Sequence, residues 1–432
     1  MESFVINGGQ RLKGDVFING AKNAGVAVIP ATVMSSGVCV IDNLPNIEDI
    51  TSLIEAMRDI GAKCSFRDEH SIIIDSRSIN NYIAIGEPVR KIRASYYLIG
   101  ALLGRFKKAE VALPGGCNFG NRPIDQHIKG FKALGAEVMI ENGIVKAHAK
   151  ELIGANIYLD VVSVGATINI MLAATFAEGQ TVIENAAKEP HIIDTANLLN
   201  MMGANIKGAG TDVIRITGVK ELKGVEYTII PDQIEAGTYM IAAAITGGDV
   251  TVKNIIPKHM DPLTAKLSEM HCSIFEGDDF IRVVGNSELI STNIKTSAYP
   301  GFPTDLQPQM TALLSIAKGT GVITENVWEN RFQYIDELKR LGCQVTVEGK
   351  VAVIEGGAKL TGSKVNATDL RAGAALVIAA LAAHGRTEIG NIRFIDRGYE
   401  SIEKKLASLG ANIVRIGEGS TSENISFMKK TV

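Results

Sequence analysis

The sequence has little of what would tie it to several common protein classes. Its five cysteines, an odd number with no CxxC spacing, argue against a disulfide framework and a zinc site. Long apolar runs are missing, and the longest, near Ala372 to Ala383, is too short to cross a bilayer. An excess of one charge is missing too. Forty-four basic and 47 acidic side chains leave a formal net charge of −3, no footprint for a nucleic-acid backbone or an anionic membrane. Met1-Glu2-Ser3-Phe4 has neither the basic nor the apolar segment of a signal peptide. No Walker A motif occurs, so ATP is not implied. The expectation is a soluble, cytoplasmic protein without membrane or nucleic-acid partners. What is present suffices for buried cores: 432 residues, 46% hydrophobic, which is more than one ordinary core supports.

Internal repeats decide the architecture. An amphipathic helix, a Gly-Ala-like turn and a strand recur six times. The turns sit at Gly61, Gly135, Gly203, His271 (in glycine's place), Gly342 and Gly410, spaced 74, 68, 68, 71 and 68 residues apart. A second, more apolar helix lies upstream in each unit. It ends in glycine and runs into a short strand closed by asparagine, as in Gly37…Asn43, Gly179…Asn185, Gly248…Asn254 and Gly385…Asn391, with Gly319…Asn326 one residue longer. Glycine there is the expected left-handed helix cap. Each unit reads as βαβαββ, and three units around shared apolar helices make one domain. The boundary is expected around Tyr227 to Pro231, with the first strand left to either half.

The second unit breaks the pattern, with Pro114-Gly115-Gly116-Cys117-Asn118-Phe119-Gly120 where the others close in asparagine. Such departures mark functional sites. A thiol in a glycine loop beside Arg122 and His127 is a candidate nucleophile or acid. Cys39, Cys64, Cys272 and Cys343 read as small buried hydrophobes, and His127 as a structural partner. Cations gather at helix starts: Arg122, Lys258 and Arg397 lie 13 residues upstream of their turns and Arg331 lies 11 upstream, while Lys22, Arg93 and Arg371 open apolar helices. Such placements oppose the helix macrodipole, so they make sense if anions are held there. The expected ligand is small and carries phosphate and carboxylate. Asp305, at the head of the fifth apolar helix, is either a capping carboxylate or a general base. Asp369 and Glu329 either orient Arg371 and Arg331 or act on protons.

Eight runs together bring a family into view: Asn19 to Ala24, Pro114 to Cys117 with Arg122 to Asp125, Ser163 to Thr167, Glu184 to Ala187, Phe302 to Asp305, Glu329 to Phe332, Ala367 to Arg371 and Asp396 to Glu400. Over almost the whole chain they closely resemble the UDP-N-acetylglucosamine 1-carboxyvinyltransferases, a branch of the enolpyruvyl transferase family. The resemblance implies a two-domain inside-out α/β barrel of six βαβαββ repeats, three per domain. Residues 22–230 would form one domain and 1–21 plus 231–432 the other, with hinges near Lys22 and Pro231 and the active site in the cleft between. It implies transfer of the enolpyruvyl group of phosphoenolpyruvate to the 3-hydroxyl of UDP-N-acetylglucosamine through a tetrahedral ketal, a step of peptidoglycan synthesis. A monomer without metal or organic cofactor is implied.

By the same resemblance Cys117 is the general acid and the fosfomycin target, and Asp305 the base. Lys22, Asn23, Arg122, Arg331, Arg371 and Arg397 would bind phosphoenolpyruvate, with Lys22 and Arg397 counted as catalytic. Asn23, Arg93, Arg122, Pro123, Ile124, Asp125, Gln126, Ser163, Val164, Gly165, Asp305 and Val327 would line the UDP-sugar site. Two positions depart from many relatives. Val161 stands where a basic residue precedes the Val-Ser-Val-Gly segment, and Asp232-Gln233 replaces Asp-Arg. The alternatives are 5-enolpyruvylshikimate-3-phosphate synthase, not expected to carry the loop cysteine, and a silent UDP-sugar-binding paralogue, which would not need Cys117, Asp305 and Arg397 together.

Overall fold

The computed structural model describes residues 2–113 and 124–417. They divide into two compact units, residues 19–232 with 298–300, and residues 2–18, 233–297 and 301–417. Each has its own hydrophobic core. The chain passes from one unit to the other at Ile18/Asn19 and at Asp232/Gln233. The sequence placed these points at residues 21/22 and 230/231. The shift follows from pairing: Ala21 donates its N–H to Ile230 at 2.7 Å and Asp232 donates to Asn19 at 2.9 Å, which keeps both passages in one unit.

Six four-stranded sheets match the six repeats. In the second, Ile83–Ala84 runs parallel to Lys108–Ala112, which pairs antiparallel with Ile144–His148, and that strand with Glu137–Glu141. Helices between the first, second and third strands complete βαβαββ. The central helices of the first unit are Lys22–Ala31, Tyr97–Phe106 and Val164–Ala174, with Tyr97–Phe106 packed against the other two. Those of the second are Gln233–Ile245, Gln307–Ile316 and Leu370–Ala382, in mutual contact. All six are apolar nearly all round, so they are stable only inside. Helices within and sheets outside make each unit an inside-out α/β barrel.

Closure of each barrel uses strands from outside the linear repeat. Glu226–Thr228 comes after the third repeat yet leads the first sheet, parallel to Val38–Asp42. Lys13–Phe17 leads the fourth sheet, parallel to Asp249–Lys253. Ser3–Asn7 lies between Arg386–Gly390 and Asn412–Ile416 in the sixth. Both N-terminal strands belong to the unit containing Asp305, where the repeat pattern left the first strand to either half and the resemblance put residues 1–21 with 231–432.

The repeat punctuation has a backbone cause. Gly61, Gly135, Gly203, Gly342 and Gly410 take left-handed conformations, and His271, in glycine's place, takes φ 69°. Asn43, Asn185, Asn254 and Asn391 are also left-handed, a region asparagine tolerates. The side chains of Asn43, Asn185 and Asn254 donate to Ile229, Leu159 and Ile18 at 2.7–3.0 Å, tying each strand end to the chain beyond its leading strand. The glycine caps divide. Gly179, Gly319 and Gly385 are left-handed as expected, but Gly37 and Gly248 are not. At Gly248 the need is room, since a Cβ would lie 2.3 Å from the Leu12 carbonyl oxygen. No helix among the described residues is long and apolar enough to cross a membrane.

Candidate functional site

The predicted residues of the second unit converge on Asp305. Pro303 leads the turn Thr304–Leu306, which passes into the helix Gln307–Ile316. Asp305 lies inside that turn, whose N-cap is Pro303, and its carboxylate meets two arginines. It accepts from the Arg331 guanidinium at 2.9 Å through one oxygen and from Arg371 at 3.1 Å through the other. Both arginines are only 4% exposed, whereas the Asp305 side chain is 28% exposed. Two buried guanidinium groups meeting at one partly exposed carboxylate make an arrangement suited to a carboxylate or phosphate ligand.

Other contacts fix the two arginines. Asp369 caps the helix Leu370–Ala382, accepting from the N–H groups of Arg371 and Ala372 at 2.8 and 3.0 Å. Capping is therefore its role, and Glu329 is exposed. The Arg371 guanidinium lies 5.5 Å over the Tyr399 ring, a cation–π contact. The turn bearing Arg397 packs on the head of the same helix: a Cβ on Gly398 would come within 2.6 Å of Leu370. Arg331, Arg371 and Arg397 thus serve one end of this helix set. Lys258 does not join them. It is exposed and paired with Asp261, a surface cation.

In the other unit Lys22 opens the helix Lys22–Ala31. Its N–H donates to the Asp232 carboxylate at 3.0 Å and its Nζ meets Asp49 at 2.8 Å. This helix, with Asn23, touches the turn Arg93–Tyr96. The Tyr96 ring meets His127 edge-on at 5.1 Å. His127 packs so close to Gly165 that a Cβ there would lie 3.0 Å from the imidazole. Ser163 caps the helix Val164–Ala174 through the Ala166 N–H, and Gln126, beside Ile124 and Asp125, bridges to Asp160 at 2.9 and 3.2 Å. The structure thus gathers Lys22, Asn23, Arg93, Ile124–Gln126 and Ser163–Gly165 at one end of the central helices. Cys117, Arg122 and Pro123 lie outside the described residues.

The electrostatics agree with these assignments. Burial pushes the His127 imidazole down to about 4, against an opposing pull from Asp125, so it stays neutral, and the Asn169 amide donates to its Nδ1 at 3.0 Å. Burial raises the Cys64, Cys272 and Cys343 thiols to about 11 and Cys39 in the same direction, so none is a ready thiolate. Among the described residues no group of three His, Cys, Asp or Glu side chains could hold a metal ion.

Sequence reasoning gave no role to Asp49, Asp160, Glu325 or Tyr399, which hold the predicted residues, although Tyr399 stands in the Asp396 to Glu400 run. No motif marks the first two. For Glu325, a carboxylate closing the strand Thr320–Thr324 and followed by an irregular stretch was the available signal.

Comparison with known proteins places this geometry. Residues 6–406 match the family model of EPSP synthase (3-phosphoshikimate 1-carboxyvinyltransferase). A UDP-N-acetylglucosamine 1-carboxyvinyltransferase of Clostridium botulinum is 60% identical over 417 residues, covering 96% of this chain and all of the relative. A second of that name from Bacillus cereus is 55% identical over 432 residues, covering 99% and 100%. Among solved structures, the enolpyruvyl transferase NikO of Streptomyces tendae superposes with TM-score 0.88 at 26% identity, over 96% of this chain and 98% of that one. EPSP synthase of Acinetobacter baumannii, 20% identical, shares the fold with TM-score 0.75 over 96% of this chain and 100% of that one. A family match across nearly the whole chain, with relatives at 55–60% identity, means that the chain belongs to the enolpyruvyl transferase family, on the branch of the UDP-N-acetylglucosamine 1-carboxyvinyltransferases.

Proposed function

We propose that this protein transfers the enolpyruvyl group of phosphoenolpyruvate to the 3-hydroxyl of UDP-N-acetylglucosamine and releases phosphate, acting in the cytoplasm as a monomer without metal or organic cofactor. The observation that carries this reading is the Arg331–Asp305–Arg371 cluster, in a chain whose near relatives bear the transferase name. In the proposed chemistry carbon 3 of phosphoenolpyruvate takes a proton from Cys117. The sugar oxygen bonds to carbon 2 as its proton passes to Asp305. The ketal then returns a proton from the former carbon 3 to the Cys117 thiolate, the double bond re-forms, and the carbon–oxygen bond to phosphate breaks. Arginines stabilise the carboxylate and phosphate charge throughout, and their fixed placement avoids reorganisation during the reaction. Lys22, Arg122 and Arg397 are assigned to the phosphate, and Arg331 and Arg371 to the carboxylate. Asn23, Arg93, Arg122, Pro123, Ile124–Gln126, Ser163–Gly165, Asp305 and Val327 are assigned to the UDP-sugar.

The test is phosphate release from phosphoenolpyruvate with UDP-N-acetylglucosamine, run beside shikimate 3-phosphate and repeated after fosfomycin treatment. Release with the UDP-sugar alone, abolished by fosfomycin, is expected. Release with shikimate 3-phosphate instead would move the protein to the sister activity. Silence with both, despite UDP-sugar binding, would leave a binding paralogue.

A further inference from the structure

Asp305 and Val327 are assigned to one site, yet they stand on separate segments of the fifth repeat, and a buried carboxylate joins those segments. Glu325, 1% exposed, follows the strand Thr320–Thr324. One of its oxygens accepts from the Val327 N–H at 2.8 Å, the Trp328 N–H at 3.1 Å and the Thr296 hydroxyl at 2.8 Å. The other accepts from the Thr304 hydroxyl at 2.9 Å, next to Asp305 in the turn Thr304–Leu306. The Thr296 hydroxyl in turn accepts from the Asn326 N–H at 2.9 Å, and the Asn326 side chain donates to the Thr296 carbonyl at 3.1 Å. Three consecutive backbone N–H groups, 326 to 328, are thereby held by one buried knot that also grips the Asp305 turn.

The chemistry of the knot indicates its use. A carboxylate buried at this depth is costly unless its lone pairs are filled, and four donors fill them here. A cluster serving stability alone could be replaced by apolar packing. This one ties together the parts of two segments that stand clear of the core: Asn326 and Val327 are exposed and Asp305 is partly so, while the neighbouring Leu306 is buried. We propose that Glu325 is a positioning residue for the transfer reaction, holding the Asp305 turn and the Val327–Trp328 segment in register so that base and acceptor sugar meet at the right distance. The proposal rests on the assignment of Asp305 and Val327 given above.

Two substitution pairs test it, with phosphate release as the activity and Trp328, the single tryptophan of the chain, as a local reporter. Glu325→Gln keeps a carbonyl oxygen for the three donors and turns an NH2 towards Thr304, whose hydroxyl then accepts. It should retain activity within about threefold and leave the tryptophan emission unchanged. Glu325→Ala removes the knot and should lower kcat/KM on the order of 100-fold, the effect of a misplacement of about 1 Å, with a shifted tryptophan emission. Thr304→Ser should behave as the parent, and Thr304→Val should lose about tenfold, mainly in kcat. The Thr304 pair covers the case in which Glu325→Ala does not fold. Equal loss in Glu325→Gln and Glu325→Ala, or a Thr304→Val enzyme with full kcat, would overturn the proposal. A parent protein silent in phosphate release would instead overturn the functional reading, so the two failures are distinct.

Discussion

Lys22 is a cation placed where a helix would rather have an anion. Its position as first residue of Lys22–Ala31 sets it against the macrodipole, and the fold answers with two carboxylates: Asp232 on the backbone N–H at 3.0 Å and Asp49 on the Nζ at 2.8 Å. The Asp49 side chain is 6% exposed and the Lys22 side chain 13%, so this pair is not a surface salt bridge of negligible worth. Removing the charge of one partner in a buried pair is far more damaging than never having built the pair. Asp49→Asn is therefore expected to destabilise the protein by about 3 kcal/mol in urea unfolding. The exposed pair Lys258–Asp261 is the control, and Asp261→Asn should change stability by less than about 1 kcal/mol. Equal effects at the two sites would refute the argument. Asp305 follows the same physics with the charges reversed. Asp305→Asn keeps the shape, withdraws the anion from two buried arginines, and should lower kcat on the order of 1,000-fold as the proposed base is lost. An Asp305→Asn enzyme with near-parental kcat would remove that residue from the mechanism.

At the scale of elements, one position in the repeat is glycine for two different reasons. Gly179 sits at φ 85° with nothing within 4 Å of an added Cβ, so Gly179→Ala meets only backbone strain of about 1–2 kcal/mol. Gly248 has an ordinary φ but a carbonyl oxygen 2.3 Å from the same Cβ, on the chain leading into Lys13–Phe17. Gly248→Ala must push that strand away and should cost about 3 kcal/mol or more, lowering Tm further than Gly179→Ala does. The reverse order would show that the leading strand yields easily. The contrast also explains what could be read from the sequence. The six turns and the strand-closing asparagines were legible because each answers a local demand, a left-handed residue at a fixed place. His271 was counted as a turn from spacing alone, and its φ of 69° bears that out. The borrowed strands Glu226–Thr228 and Lys13–Phe17 were not legible, because their partners lie about 190 and 240 residues away and closure of a ring has no local signature. The same holds at the site. Asp305 and the arginines were found from their places at helix heads, while Asp49 and Glu325 were not, since what distinguishes them is a partner brought in by packing.

For the whole molecule, the telling quantity is how stability changes between pH 4 and 6.5, where two buried groups of one unit pull in opposite directions. His127 lies against Tyr96, Asn169 and Asp125, and burial lowers it to about 4. The unfolded chain binds its proton below about 6.5 while the folded chain does not, so this group's contribution falls as pH drops from 6.5 to 4. Asp194 accepts from the Tyr227 hydroxyl at 2.6 Å and from the Ile230 N–H at 3.4 Å, yet burial still raises it to about 6. The folded chain then holds a proton that the unfolded chain has released, so this contribution falls as pH rises from 4 to 6. Each shift spans about 2 units, on the order of 3 kcal/mol, and the two slopes nearly cancel. Single substitutions should expose them. His127→Asn keeps an acceptor for the Asn169 amide and leaves Asp194 uncompensated, so its urea midpoint should fall as pH rises from 4 to 6. Asp194→Asn removes the opposite term, so its midpoint should fall as pH is lowered from 6.5 to 4. Midpoints followed by circular dichroism at pH 4, 5, 6 and 6.5 decide the matter. If both variants keep the parental profile, the two groups do not titrate in this window. If the profiles diverge in the stated senses, a neutral imidazole packed on Gly165 and a protonated carboxyl beside the Ile230 N–H are balanced against each other across the unit that carries Lys22.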